Sequence, residues 1–139
     1  VVGRDRLLPV HAADRTAELN ESFAHGKLPY IAYPGEVFLG QVMERLVLPA
    51  VRRLADPIPR AETALTLAAL EMAAVGVAVA WVPESLGRAR IADGRLADLS
   101  RTLPAVPLDV TAVRLRGSAG PVEAAIWSQL VDLAPTSGA

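Results

Sequence analysis

The residues able to do chemistry in this chain are few and scattered. Its two histidines, His11 and His25, lie far apart in sequence with no clustered carboxylates around them, which is not the spacing of a metal site. Glu18 and Glu21 are a carboxylate pair in a polar stretch with no partner histidine. There is no Gly-x-Ser-x-Gly elbow, no phosphate-cradling glycine loop and no His-Glu-x-x-His, so the common hydrolytic and nucleotide-binding signatures are absent. No cysteine is present, which removes thiolate chemistry, disulfides and Cys-based zinc sites. What remains is chemistry of binding. The turn Tyr33-Pro34-Gly35-Glu36-Val37 precedes a helix, and the free backbone N–H groups of a helix start attract an anion or a polar acceptor. Gly35 permits close approach, and Tyr33 offers an aromatic wall. Glu36 opposes a carboxylate ligand unless it swings outward. The same turn also reads as a plain strand-to-helix connection in which Glu36 complements the helix dipole. Thr63 opens a second helix, where its hydroxyl either faces the same ligand or caps the helix.

These residues need elements to hold them. Leu7 to His11 reads as a short strand, residues 12–27 as a loop, and Leu28 to Tyr33 as a strand with Pro29 near its start, where proline is tolerated. Val37, Phe38, Val42 and Leu46 recur at helical spacing over 37–47, with Pro49 ending or kinking that helix. Pro57-Ile58-Pro59 is a break before a short strand at Arg60 to Glu62. A helix over 64–74 follows, then a strand over 77–82 entered through Gly76, a helix from Pro83 or Glu84 to Ile91, and a strand over 95–99. Leu108 to Leu115 alternates imperfectly as a strand. Gly117 to Pro121 is a turn with proline where a helix would start, and Val122, Ala125, Ile126, Leu130 and Leu133 form one apolar stripe. The tail from Pro135 is expected to fray. Strands alternating with helices argue for an α/β fold with a mostly parallel sheet, in which ligands sit at the carboxyl ends of strands.

Composition sets bounds. With 139 residues, 52% of them apolar, the chain can bury one core. Its net charge of -1 does not suit a nucleic-acid binder. No uninterrupted apolar run reaches the roughly 18 residues of a spanning helix, so no membrane partner is expected. The chain opens in mid-element without an initiating Met and reads as a piece of a longer protein. The helix over 64–74 is apolar nearly all round, so it belongs either to a larger core or to a subunit interface with Leu67, Leu70 and Ala74 facing a partner. Trp81 reads as core, its N–H needing an acceptor. Arg88, Arg90 and Arg95 read as a solvated face.

Four segments carry a family likeness. Asp5-Arg6-Leu7-Leu8-Pro9-Val10, then Leu28-Pro29-Tyr30-Ile31-Ala32-Tyr33 with Phe38-Leu39-Gly40, then Ala74-Val75-Gly76-Val77-Ala78-Val79-Ala80-Trp81-Val82-Pro83-Glu84-Ser85-Leu86, and last Ala92-Asp93-Gly94-Arg95-Leu96 follow in this order. The set resembles the effector-binding domain of LysR-type transcriptional regulators. One departure is Ala74, where the helix-Gly-strand signature usually carries glycine.

The resemblance implies a periplasmic-binding-protein-like (type 2) lobe. Residues 1–105 would form the second lobe, and 106–139 a crossover strand and helix returning to a first lobe outside this segment. It implies a small-molecule effector held in the interlobe cleft by Tyr33, Pro34, Gly35, Glu36, Val37 and Thr63. It also implies a homodimer or tetramer using the 64–74 helix, and a cytoplasmic protein that contacts DNA through a separate N-terminal domain. No enzyme activity, cofactor or metal is implied. The first alternative is the solute-binding component of a transporter, which shares the fold but is exported; the second is an enzyme of related two-lobed architecture.

Overall fold

The computed structural model describes residues 1–117 and 120–134. Two compact units are present, one formed by Arg6–Val106 and the other by Val1–Asp5 with Pro107–Ala139. In the larger unit the order is β1 (Gly3–Ala12, whose first residues belong to the smaller unit), α1 (Thr16–Ala24), β2 (Lys27–Ala32), α2 (Phe38–Val42), α3 (Leu48–Val51), β3 (Asp56–Glu62), α4 (Thr66–Ala74), β4 (Ala80–Pro83), α5 (Glu84–Ala92) and β5 (Leu96–Asp98).

The expected mostly parallel sheet is a mixed one. β2 and β3 pair in parallel, from Lys27 opposite Asp56 to Ala32 opposite Glu62. The approach to β4 joins them in parallel: Ile31 N–H donates to Val79 O at 2.8 Å and Val79 N–H to Pro29 O at 3.1 Å. β1, however, lies antiparallel between β4 and β5, with Leu8 opposite Val82 and His11 opposite Ala97. The reason is the connection. β4 and β5 are joined by a crossover through α5 and run the same way; the crossover leaves a slot one strand wide, which β1 fills in reverse.

Both sheet faces are covered, so the strands read as continuous apolar runs rather than alternating ones. Leu7, Leu8 and Val10 of β1, Ile31 of β2, and Val79 to Val82 are buried, as are Ala69, Leu70 and Ala73 of α4, which packs on β4 and β2, and Met43, Val47, Leu48 and Val51 of the helix after β2. Trp81 is fully buried and donates from Nε1 to Pro104 O at 2.8 Å, as expected of a core tryptophan.

Several local differences have physical causes. Residues 12–27, expected as a loop, contain α1. Only Leu19 on it is buried, and one anchored position makes no periodic stripe. The helix expected over 37–47 continues through Val51, because α2 and α3 are joined by a π-turn at Met43–Val47. Pro49 has no N–H and its ring crowds the carbonyl of Arg45; a wider turn absorbs both defects without ending the helix. β3 extends back through Pro57 and Pro59 to Asp56. It pairs with β2, and prolines are tolerated on such an outer strand. The register slips after Tyr30, which faces Pro59 while Ile31 faces Ala61, leaving Arg60 as the bulged residue.

α4 ends at Gly76. Its N–H donates to Ala73 O and that of Val77 to Met72 O, both at 3.0 Å, the bond pair of a Schellman motif. Glycine is required twice here: φ is +83°, and a Cβ would lie 2.9 Å from Arg15 Cγ.

In the smaller unit Val2 N–H donates to Val110 O at 2.7 Å. Its strand, β6 (Val106–Val110), begins before and ends well short of the expected Leu108–Leu115. Residues 111–115 carry no ladder, and Val113 and Leu115 face solvent. α6 (Pro121–Leu133) starts on its proline as expected, yet none of its residues is buried. Ser118 and Ala119 of the preceding turn, and the tail from Pro135, lie outside the described residues.

Candidate functional site

Parallel strands β2 and β3 end side by side. Beyond the last paired residues, Thr63 N–H donates to Ala32 O at 3.0 Å. This places the Tyr33–Val37 turn and the Thr63 turn together at the carboxyl ends of two neighbouring strands, where open α/β sheets hold their ligands. The structure thus brings both sequence-derived candidates to one edge.

Their roles within that edge differ from expectation. Tyr33 is 6% exposed and forms no aromatic wall. Its hydroxyl donates to Trp81 O at 2.8 Å. Burial pushes the phenol well above its usual range, against a smaller opposing effect from a hydrogen bond with the Thr66 side chain. Tyr33 therefore ties the turn to β4 and to the first residue of α4. Thr63 is not the α4 cap: its Oγ1 accepts the Leu65 N–H at 3.1 Å and bends the chain before the helix starts at Thr66. Within the first turn, Val37 N–H donates to Pro34 O, and Gln41 N–H to Val37 O, each at 3.1 Å. No side chain caps α2. Gly35 and Glu36 face solvent, and a Cβ on Gly35 would meet nothing within 4 Å.

The residue that seats this turn is Gly40. A Cβ there would fall 1.9 Å from Pro34 O and 3.2 Å from Gly35 Cα, so the turn rests directly on the helix backbone. The chemistry-led reading missed it. The signal was available: glycine inside a helix costs about 1 kcal/mol relative to alanine, and such a residue asks for a close approach.

The three α4 interface candidates separate. Leu67 is 61% exposed, Ala74 is half-buried, and Leu70 is 2% exposed. Leu70 packs in the core with Ala69 and Ala73, so it cannot face a partner; it lies only about 60° round the helix from Leu67, at the border where α4 turns from solvent into the core. The outward stripe is Leu67, Glu71, Ala74 and Val75. Arg90 of α5 pairs with Glu71, and Arg95 pairs with Asp93 at 2.8 Å, so two of the three arginines are engaged in ion pairs. Hydrogen bonds from these arginines hold the Glu71 and Asp93 carboxyls below their ordinary range. Beside the stripe lies an open cavity of about 450 Å³ bordered by Glu71, Ala74, Arg90 and Arg95.

His25 is exposed, with Nδ1 2.8 Å from Glu21 O. His11 is buried in β1. Among the described residues no group of three or more His, Asp or Glu side chains is placed to hold a metal, and no helix is long and apolar enough to cross a membrane.

No family model matches the sequence, and no curated protein matches it significantly. Solved structures do match. The apo regulatory domain of HypT from Salmonella typhimurium superposes with a TM-score of 0.80 and 23% identity over 95% of this chain and 62% of that one. DarR from Vibrio fischeri, solved with DNA as a LysR-type (LTTR) family member, gives 0.77 and 21% over 95% and 44%. ArgP from Mycobacterium tuberculosis gives 0.65 and 20% over 97% and 46%. The chain spans less than two thirds of each of these structures. Full-length HypT is a hypochlorite-specific LysR-type transcriptional regulator. This chain therefore has the α/β fold of the regulatory domain of LysR-type transcriptional regulators, over part of that domain's length.

Proposed function

We propose that this chain is the second-lobe part of the effector-sensing domain of a LysR-type transcriptional regulator. The observation that carries the reading is the pairing of the Pro34–Val37 and Thr63 turns at the carboxyl ends of β2 and β3, in a fold shared with such regulators. A small effector sits against Gly35, Glu36, Val37 and Thr63, with Tyr33 and Pro34 holding the turn from behind. It closes the cleft against the other lobe, and the changed lobe angle alters a cytoplasmic homodimer or tetramer whose separate DNA-binding domain reads the change. The effector acts only through its preference for one arrangement. Leu67 and Ala74 face the second copy. In the smaller unit, the exposed stripe of α6 and the open groove of about 570 Å³ beside it, bordered by Val113, Val122 and Ile126, belong against the first lobe.

The test uses the full-length protein. Gly35→Trp adds an indole where there is open space, so its melting temperature in the absence of ligand stays near that of the unaltered protein. A panel of small organic acids, and of amino acids other than glycine and alanine, is screened by thermal shift. A compound that stabilises the unaltered protein should not stabilise the variant. An equal shift in both would place the effector elsewhere.

A further inference from the structure

A second cavity in the larger unit, of about 130 Å³, lies away from the Tyr33–Val37 turn, near the start of β2 and the entry to β4, and is bordered by His11, Glu18, Ser22, Arg60 and Gly76. His11 is 4% exposed. Its Nδ1 lies 3.2 Å from Ala12 O. A carbonyl only accepts, so Nδ1 carries the proton and Nε2 presents a lone pair. Among the described residues Nε2 has no hydrogen-bond partner and no buried side-chain nitrogen or oxygen is left unsatisfied, so Nε2 opens onto the solvent of the cavity. Glu18 and Ser22 stand one helical turn apart on α1, on one face. Glu18 Oε1 pairs with Arg15 at 3.5 Å, which leaves Oε2 as an acceptor. Arg60 enters from β3 at the bulge, a device that re-aims a side chain.

The lining is amphoteric. A bare cation meets Arg60; a bare anion meets Glu18 and the Nε2 lone pair. A zwitterion satisfies both. The volume is that of about four water molecules, which suits the smallest amino acids. We propose that this cavity binds a small α-amino acid, with the ammonium directed to His11 Nε2 and Glu18 and the carboxylate to Arg60. This site is separate from the proposed effector cleft and does not depend on it.

The test titrates the full-length protein with glycine and L-alanine, and in separate experiments with acetate and Zn²⁺, following His11 and His25 side-chain signals by NMR and heat by calorimetry. Saturable binding of glycine or alanine that shifts His11 and spares His25 is expected. Arg60 and Glu18 are exposed, so Arg60→Ala and Glu18→Gln should fold, and each should weaken binding about tenfold or more, as loss of a charge-assisted hydrogen bond does. Gly35→Trp should leave this binding unchanged. The assignment is overturned by absence of saturable binding, by unweakened binding in both cavity variants, by binding of acetate or Zn²⁺ but neither amino acid, or by loss of binding in Gly35→Trp.

Discussion

At Gly40 two residue-scale effects compete. Alanine would gain about 1 kcal/mol of helix propensity, but its Cβ would fall 1.9 Å from Pro34 O. Overlap of that size with a backbone carbonyl forces the turn off the helix. Gly40→Ala should therefore lower the urea midpoint despite the better helix former; an equal or higher midpoint would show that the turn does not rest there. Tyr33→Phe removes the donor to Trp81 O. A buried carbonyl left without that donor costs about 1–3 kcal/mol, measurable in the same denaturation. His11 gives a pH dependence. Burial lowers its pKa below 6.5, with smaller contributions from the Ala12 carbonyl, Glu18, Arg15 and Asp14; Arg60 also borders its cavity. The unfolded chain then binds the proton more readily, so His11's contribution to stability is complete above pH 6.5 and is lost as pH falls through and below it. Urea midpoints should decline on that acid side, and His11→Gln should flatten part of the decline. An unchanged slope would remove His11 from the account.

Elements were legible where the apolar pattern was dense. The segment from residue 64 through Ala92 announced a glycine-terminated helix, a buried strand and a new helix, and α4, β4 and α5 follow that order. The pattern failed where one residue anchors an element, as Leu19 does α1. It also failed where proline signalled a break but the chain absorbed it, by a π-turn before Pro49 and by an outer strand at Pro57 and Pro59. The site was half legible: the Tyr33–Val37 and Thr63 turns were named from turn chemistry, but Gly40, their seat, and the inward path of Tyr33 depend on contacts distant in sequence. The face of α4 shows the same limit. Its residues are apolar on all sides, so period alone could not separate Leu70 from Leu67. The structure does, and a pair of variants checks it. Leu70→Ala should cost about 2–5 kcal/mol as a core truncation, while Leu67→Ala in this chain should stay within about 0.5 kcal/mol. Similar losses in both would mean that α4 is rotated from the position described.

For the whole molecule, stability should be uneven. The larger unit buries both faces of its sheet, whereas α6 in the smaller one buries no residue and leaves Val122 and Leu133 about 70% exposed. Helices of this length are marginal in water without a packed face, and elements with few buried contacts open at low free-energy cost. Arg114 stacked 4.7 Å from the Trp127 ring adds only about 0.5–1 kcal/mol at such an exposed place. Backbone amides of α6 should thus exchange with solvent almost as fast as in an unfolded chain, while those of β1 and β4 exchange only through unfolding of the larger unit. Hydrogen exchange followed by mass spectrometry reads both in one experiment. Repeated on the full-length protein, it should show α6 protected, because the first lobe is proposed to cover its apolar stripe. Protection of α6 already in this chain would mean that the helix is covered without that lobe. Absence of protection in the full-length protein would remove α6 from the lobe contact.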